Sequence, residues 1–461
     1  MNDAPVAAAR RLVAGLLAEP FGRVAPSVYE TARLVVLAPW LSGHAARVRF
    51  LVERQHPDGT WGMPGGYALV PTLSAVEALA AVRRGDVPSW GTRADLASAV
   101  DRGTRALKLL LDGRTPLPDT PAIELIVPAL AERLALLTPF DRTRLAALRE
   151  RIADGRPVPP KARHFLEVLG DGPAQDGIVG ASPAATAARL SPAGADFLRT
   201  LTARHGGPVP CPTPIPAFET AWVLSWIARS GMPVEVPPAL LDSLAAGLGP
   251  TGIATGPGLP TDADTTAVTL YALSRLGRPP DRDALWHYRT AHGFCTWPGE
   301  DGFSVSTNAH VLEALGRRSG ESAALTQVLV GRQLPDGSWQ DRWHASPYYA
   351  TVSCALALES AGRGPAVAAA LRRATEWVRA TQRADGSWGR FTATAEETAY
   401  ALHLLARRPG PVDDALRRGT AFLRAAVDHP RPTLWYGKEL YLPESIVEAA
   451  ILSALFITRE L

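Results

Sequence analysis

Two carboxylates spaced two residues apart in the segment PTDADTTAV (260–268) are well suited to acid chemistry. Asp262 and Asp264 are followed by the hydroxyls of Thr265 and Thr266. Burial raises the pKa of a carboxyl group, and a second carboxylate nearby raises one member of the pair further. The same residue types also favour a helix start, where Asp and Thr accept bonds from free backbone N–H groups. The segment therefore indicates either a proton donor or a helix cap.

A Gln-x-x-Asp-Gly-Ser/Thr-Trp motif occurs three times, in RQHPDGTWGM (54–63), RQLPDGSWQDRW (332–343) and TQRADGSWGR (381–390). Between Gly/Pro-rich breaks, Ala and Leu recur at three- and four-residue spacing, which predicts helices and few strands. A helical hairpin cannot bury its apolar face alone, so we expect stacked hairpins that close into rings. The predicted fold class is all-α. The motifs are expected to be structural, with Trp against the next helix and the Gln amide either capping a helix end or bonding the neighbouring motif.

The bulk composition excludes several functions. A chain of 461 residues is too long for one compact core, which predicts two domains. The net charge of +3, without a Lys/Arg run, argues against a nucleic-acid surface. The scattered cysteines Cys211, Cys295 and Cys354 suit a reducing cytoplasm. No uninterrupted apolar window reaches roughly 18 residues, so no membrane-spanning helix is expected.

Motifs in order along nearly the whole chain resemble those of class II terpene cyclases, especially the bacterial drimenyl diphosphate synthases and diterpene cyclases. The three repeats resemble the QW motifs of that family. The segments that carry the rest of the resemblance are PSVYETARL (26–34), VPPKARHFLEVLGD (158–171), QDGIVGASPAATA (175–187), PTDADTTAV (260–268), RWHASPYYAT (342–351) and LWYGKELYLPE (434–444).

The resemblance implies two α-helical barrels in a βγ arrangement, with the active site between them. Residues 1–22 and 240–461 would form the β domain, which carries the acid motif. Residues 23–239 would form an inserted γ domain.

The resemblance also implies a reaction in which a carboxylic acid protonates the terminal alkene of a linear prenyl diphosphate. By this resemblance Asp264 is the general acid and Asp262 its hydrogen-bonding partner. Thr265 stands where most members have a third Asp, and with Thr266 it is expected to tune the acid. Asn308, in STNAHVL, is expected to bond to the Asp pair. No D-D-x-x-D motif occurs, so the product should keep its diphosphate.

The cation formed by protonation must be shielded from water, and aromatic faces stabilise cations. Each aromatic side chain has core packing as its alternative role. The candidates for the cation pocket are Trp222, Phe294, Trp297, Trp343, Tyr348 and Tyr349. The base that ends the reaction is left open, because Cys211 falls where plant members of the family place an Asn.

The diphosphate requires positive charge or a divalent metal. Lys438 matches a family position associated with the phosphate pocket. Arg33, Lys161 and Arg163 are further candidates, since Arg suits bidentate contacts with phosphate.

Mg²⁺ is the cofactor that the resemblance implies. Glu167 matches the family's Glu for this metal, and Asp171, four residues on, would share its helix face. The alternative is a solvated acidic pair near a helix end. Glu124 is a weaker candidate, because a Glu in an apolar run needs a partner.

The Asp-x-Asp-Thr-Thr form resembles bacterial sesquiterpene cyclases, which favours farnesyl diphosphate as the substrate and drimenyl diphosphate as the product. The alternative is geranylgeranyl diphosphate and a copalyl- or labdane-type diphosphate.

A squalene-type cyclase fits less well, because those enzymes carry more QW repeats. A protein prenyltransferase β subunit would need an Asp-x-Cys zinc pair, which is absent from the sequence. A non-enzymatic helical module would tolerate Asp264→Asn. No nucleic acid is expected as a partner and no membrane-spanning segment is expected, while a membrane-surface contact and the oligomeric state are left open.

Overall fold

Helices dominate the computed structural model, which describes residues 4–87, 93–300, 302–318, 320–407 and 414–459. Within these ranges the strands are short antiparallel pairs of two residues each. The strand pairs are β1 (Ile253–Ala254) with β2 (Thr261–Asp262), β3 (Arg289–Thr290) with β4 (Gly293–Phe294), and β5 (Trp435–Tyr436) with β6 (Leu440–Tyr441). The prediction of an all-α fold with two helical barrels is confirmed.

The first barrel is an inner ring of helical segments inside an outer layer. The inner ring runs through α2 (Val28–Leu37), α4 (Leu69–Arg84), α6 (Ile123–Arg133), the 3₁₀ segment Pro160–Val168 and α8 (Pro183–Ala188), which packs back on α2. The outer layer contains α3 (His44–Glu53), α5 (Arg93–Leu110), α7 (Thr143–Ala153) and α9 (Pro192–His205). A 3₁₀ turn, Gly65–Ala68, precedes α4.

Helix α4 is buried on all sides from Leu69 to Val82, because it lies in the inner ring of the first barrel. With the preceding turn it spans Gly65–Arg84, which is long and apolar enough to cross a membrane by length and composition. Of its most apolar window, 89% is buried inside the protein. Such burial is typical of the core helix of a globular barrel.

The second barrel repeats the two-layer design with longer helices. Its inner ring runs through α10 (Pro216–Ser230), α12 (Ala263–Arg275), α13 (Val305–Leu315), α15 (Pro347–Ala361), α17 (Ala395–Leu405) and α19 (Glu444–Ile457), which packs back on α10. The outer layer contains α1 (Ala4–Gly15), α11 (Pro238–Gly247), α14 (Gly320–Gly331), α16 (Pro365–Ala380) and α18 (Asp414–Ala426). The 3₁₀ turns here are Asp283–Tyr288 and Gly316–Arg318.

The packing of α10 and α11 bears on the domain boundary, which we expected at residues 239–240. Helix α10 contacts α12 and α19, and α11 contacts α10 and α12, so both belong to the second barrel's core. We therefore propose that the first barrel ends near residue 215. Helix α1 packs on α19 and α10, which joins the start of the chain to the second barrel.

Each repeated motif ties a helix pair to the next outer helix. In the third copy, the amide of Gln382 donates to the carbonyls of Gly386 and Ala415, both at 2.8 Å. The ring N–H of Trp388 donates to the carbonyl of Val378 at 2.7 Å, and the ring is fully buried. The first and second copies make equivalent bonds through Gln55 with Trp61 and through Gln333 with Trp339.

Glycine is required in these motifs because the chain turns sharply against a neighbouring helix. Gly386 has φ of +89°, and an added Cβ would lie 2.7 Å from the carbonyl oxygen of Arg418. A left-handed backbone and a close approach both exclude larger residues. The motif is therefore structural. Its Gln side chain forms a hydrogen bond to the next outer helix and does not cap a helix end.

Candidate active site

A cavity of about 810 Å³ lies between the two barrels and contains the acid motif in its wall. We call it the substrate cavity. The first barrel contributes Pro121, Lys161, His164 and Phe165. The second contributes the acid motif and an aromatic wall, so the two barrels must dock before this site exists.

Asp262 is both a helix cap and a buried carboxyl group. It is the N-cap of α12, where Oδ1 accepts the backbone N–H of Thr265 at 2.6 Å. The hydroxyl of Thr255 donates to Oδ2 at 3.0 Å. Burial raises the pKa of Asp262 to about 7, with a further upward contribution from Asp264, although the bonds from Thr265 and Thr255 lower it. The two interpretations of the motif are thus compatible.

Asp264 lies in the first turn of α12 and lines the substrate cavity. Its Oδ1 is 2.7 Å from Nδ1 of His310 on the neighbouring helix α13. His310 is nearly buried and does not line the substrate cavity, so it supports Asp264 from behind. His310 was not among the predicted site residues, although a histidine among the apolar residues of NAHVLEAL is a visible signal.

The expectation that Asn308 bonds to the Asp pair is wrong. Its Oδ1 accepts the backbone N–H of Phe294 at 2.9 Å. Its Nδ2 donates to the carbonyls of Phe294 at 2.9 Å and Ser304 at 2.8 Å. Residues 308 and 310 lie on different faces of α13, because consecutive helical residues are about 100° apart. Asn308 therefore anchors strand β4, and the position next to Asp264 belongs to His310.

The two threonines of the motif have different surroundings. Thr265 lines the substrate cavity, and its hydroxyl lies 2.9 Å from that of Thr255. Its predicted role in tuning the acid stays a prediction. Thr266 is fully buried, accepts the backbone N–H of Ile253 at 3.0 Å, and so fastens strand β1 to α12.

The raised pKa of Asp262 predicts a pH-dependent contribution to stability. The folded protein holds a proton that the unfolded chain releases above the usual pKa of 3.8. The contribution is therefore fully present below about pH 4 and is lost as the pH rises to about 7, with a total of about 4 kcal/mol. Asp262→Asn retains a good N-cap residue but cannot titrate.

The measurement is denaturant unfolding of wild type and Asp262→Asn across this pH range. We expect the free energy of unfolding of wild type, minus that of the variant, to fall as the pH rises. A difference that stays constant between pH 4 and pH 7 would contradict a buried, protonated Asp262.

Of the predicted aromatic residues, Trp297 and Trp343 line the substrate cavity, with their ring centroids 5.2 Å apart. Trp222 and Tyr349 lie behind the acid, joined by a 3.2 Å bond from the indole N–H to the phenol oxygen. Tyr348 packs on Trp377 on the outer side of α15. The other aromatic residues of the lining were not predicted from the sequence; they are Phe165, Phe218, Trp435, Tyr436 and Tyr441.

Phe294 also faces away from the substrate cavity. Its ring packs against Trp286, with centroids 6.0 Å apart. The expectation that Phe294, Tyr348, Trp222 and Tyr349 contact the cation directly is therefore not met by this geometry.

Lys438 is buried among acceptors of the first barrel, contrary to the expectation that it binds diphosphate. Its ammonium group donates to Glu30 at 2.6 Å, Glu167 at 2.7 Å and Ser182 at 2.7 Å. Burial alone would lower the pKa of Lys438, but the Glu167 and Glu30 carboxylates outweigh burial and raise it. The neighbouring Glu439 accepts from the hydroxyl of Ser27 at 2.5 Å. We call Lys438 with these acceptors the lysine cluster.

Arg33 and Arg163 also lie away from the substrate cavity. Arg33 is fully buried inside the first barrel, where it donates to Ser74 at 2.9 Å and forms an ion pair with Glu77. Arg163 is exposed at the surface. Neither side chain faces the cavity, so neither is positioned for a bound diphosphate.

Lys161 lies at the junction between the substrate cavity and an outer cavity of about 1890 Å³. Its Nζ is 4.4 Å from the centre of the Trp297 ring and 3.9 Å from Glu300. Burial lowers the pKa of Lys161, and the Glu300 charge opposes this effect. Glu124, which lines the outer cavity, pairs with Arg144 at 2.9 Å.

A neutral imidazole forms part of the first barrel's contribution to the cavity. Burial lowers the pKa of His164 to about 3, with a further lowering by Lys438. Its Nδ1 contacts the carbonyl of Gly180, which leaves Nε2 without a proton, 3.9 Å from the sulfur of Cys211. His164 therefore lines the cavity as a neutral ring, and Cys211 is buried beside it.

A buried carboxyl group with a raised pKa stands two residues before a second carboxyl group that faces an aromatic cavity between two helical barrels. Such a pair suits the protonation of an alkene, and the aromatic walls shelter the cation that results. These features define a protonation-initiated cyclase. Residues 301–430 match the family described as the squalene-hopene cyclase C-terminal domain.

Similar proteins cover nearly all of the chain. An ent-copalyl diphosphate synthase from Streptomyces sp. (strain KO-3988) is 44% identical over 99% of this chain and 96% of its own length. A labda-7,13-dienyl diphosphate synthase from Streptomyces clavuligerus is 41% identical over 98% of this chain and 92% of its own. The structure of an ent-copalyl diphosphate synthase from Streptomyces platensis matches with a TM-score of 0.91 at 44% identity, covering 99% of both chains. The chain belongs to the class II terpene cyclases.

The expectation of Mg²⁺ is wrong. Class II cyclases act by protonation from an acid residue and need no metal. The predicted ligands also do not fit a metal: Glu167 is bonded to Lys438 and Tyr29, and Asp171 is exposed beyond the end of the 3₁₀ segment Pro160–Val168. Among the described residues, no group of three or more His, Cys, Asp or Glu side chains could share a metal ion.

Proposed function

We propose that the protein is a class II diterpene cyclase that converts geranylgeranyl diphosphate into a copalyl- or labdane-type diphosphate. The names of its relatives support this alternative over the expected drimenyl diphosphate, since both curated relatives above are copalyl or labdadienyl diphosphate synthases. This proposal gives the relatives more weight than the Asp-x-Asp-Thr-Thr form, which favoured the C15 substrate.

The observation that carries the proposal is the position of Asp264. Its carboxyl group faces the substrate cavity, while Oδ1 is bonded to His310 behind it. In the proposed reaction Asp264 gives its proton to the terminal alkene, and the bond to His310 stabilises the carboxylate that is left. Asp262 keeps α12 capped and orients the first turn that carries Asp264.

The walls of the cavity would then direct the cation. Trp343, Phe218 and Tyr441 present aromatic surface to the substrate, which stabilises positive charge without reacting with it. The diphosphate would remain at the junction with the outer cavity, beside Lys161. Helix α6 begins there, and a helix N-terminus favours an anion.

The test is turnover of geranylgeranyl and farnesyl diphosphate by purified protein, with a chelator present throughout. Phosphatase treatment and gas chromatography–mass spectrometry identify the alcohols. We expect a bicyclic labdane-type alcohol from the C20 substrate and a much smaller kcat/KM with the C15 substrate. Drimenol formed from farnesyl diphosphate at the higher kcat/KM would reverse the assignment.

A further inference from the structure

A second cavity between the barrels meets the substrate cavity at Tyr436. It has a volume of about 990 Å³, and we call it the interface cavity. Its wall includes the charged side chains Asp119, Asp341, Arg342 and Arg390. Asp119 and Gln340 are exposed at its rim, so bulk water reaches it.

Tyr436 separates this polar space from the substrate. Among the described residues it alone lines both cavities. Its backbone N–H donates to the carbonyl of Trp343 at 2.9 Å, which holds the main chain of Tyr436 beside the substrate cavity. The polar interface cavity and the aromatic substrate cavity are therefore one side chain apart.

Tyr67 of the first barrel completes the partition. Its phenol oxygen lies 2.5 Å from that of Tyr436, and the rings stack with centroids 5.7 Å apart and planes 24° apart. Phe391 packs edge-on against Tyr67 at 5.9 Å, and the Arg390 guanidinium lies over the same ring at 5.3 Å. Both tyrosines are thus held from both barrels.

The partition matters because the cyclised carbocation has two fates. Loss of a proton from a neighbouring carbon gives an alkene. Alternatively, the oxygen of a water molecule donates a lone pair to the cation, a C–O bond forms, and the resulting oxonium gives a proton to a second water. The diphosphate is retained in both cases, and the second product is heavier by one water.

We propose that Tyr436, supported by Tyr67, keeps the water of the interface cavity away from the cation and so determines that the product is an alkene. This inference rests on the proposed cyclase function. It assigns product specificity to a residue that takes no part in the initial protonation.

The deciding variant is Tyr436→Ala, incubated with geranylgeranyl diphosphate in isotopically labelled water. We expect the ratio of hydroxylated to olefinic product to rise about tenfold, since a change of about 1.4 kcal/mol between two competing barriers has that effect. The new alcohol should carry the label. Tyr67→Ala, which changes no side chain of the substrate cavity, should shift the ratio in the same direction.

Two control variants distinguish opening of the boundary between the cavities from simple enlargement of the substrate cavity. Tyr441 lines the substrate cavity but not the interface cavity, so Tyr441→Ala enlarges the site without opening it to this water. Tyr436→Phe keeps the ring and should keep the wild-type product ratio. Equal water capture by Tyr441→Ala would overturn the inference, as would purely olefinic products from Tyr436→Ala. If circular dichroism shows that Tyr436→Ala does not fold, the product ratio of Tyr67→Ala tests the inference instead.

The inference and the proposed function fail differently. If wild type cyclises neither substrate, the proposed function fails. If wild type forms a labdane-type alkene and neither alanine variant of the tyrosine pair captures water, only the inference fails.

Discussion

Asp264→Asn abolishes cyclisation of geranylgeranyl diphosphate, with an expected loss in kcat of about 10³-fold or more. The amide cannot transfer a proton to an alkene. Asp262 cannot replace it, because both of its carboxyl oxygens already accept bonds, from Thr265 and Thr255. The measurement is the rate of product formation under saturating substrate, followed by mass spectrometry.

The matched control is Asp196→Asn. Asp196 is exposed on α9 and pairs with Arg199, so its loss should leave turnover unchanged. Near-identical circular dichroism spectra for both variants establish that the fold is intact. If Asp264→Asn kept its rate within about tenfold of wild type, Asp264 would not be the acid.

Lys438→Met destabilises the protein by about 3 to 5 kcal/mol, because it leaves the Glu30 and Glu167 carboxylates buried without their cation. Both carboxylates are almost fully buried. Urea unfolding at neutral pH measures the loss. A variant that also carries Glu30→Gln and Glu167→Gln should recover much of it, because no uncompensated charge is left.

The matched control for Lys438 is the other lysine predicted to bind diphosphate. Lys161→Met should raise the KM for the substrate while changing stability much less, since Lys161 is half-buried at the cavity junction. The opposite pattern, in which Lys438→Met raises KM and leaves stability unchanged, would restore Lys438 to the diphosphate site.

Local signals in the sequence were enough for the acid motif and the repeats. The capping role of Asp262 and the turn at Gly386 depend on residues within a few positions, so their types and spacing are informative. The repeated Trp and Gln residues likewise satisfy bonds to adjacent helices. These features predicted the helical rings that the structure contains.

The distant partners could not be read from the sequence. Lys438 meets Glu30 and Glu167 across 408 and 271 residues, and no local pattern marks such a contact. Tyr348 and Tyr349 are adjacent in sequence, yet they point to different sides of α15. The prediction of Asn308 instead of His310 was wrong for a related reason. Only the packing of α13 against α12 decides which face of α13 meets Asp264.

The lysine cluster has a consequence for how this enzyme can be recombined with its relatives. The short hairpin β5–β6 supplies Trp435, Tyr436 and Tyr441 to the substrate cavity, while Lys438 and Glu439 at its turn are bonded to the other barrel. A chimera that joins one barrel of this chain to the other barrel of a relative would separate those charges from their acceptors. The hairpin and its acceptors in the first barrel must therefore be exchanged as a unit, and a change of product through domain shuffling should succeed only where that unit is kept whole.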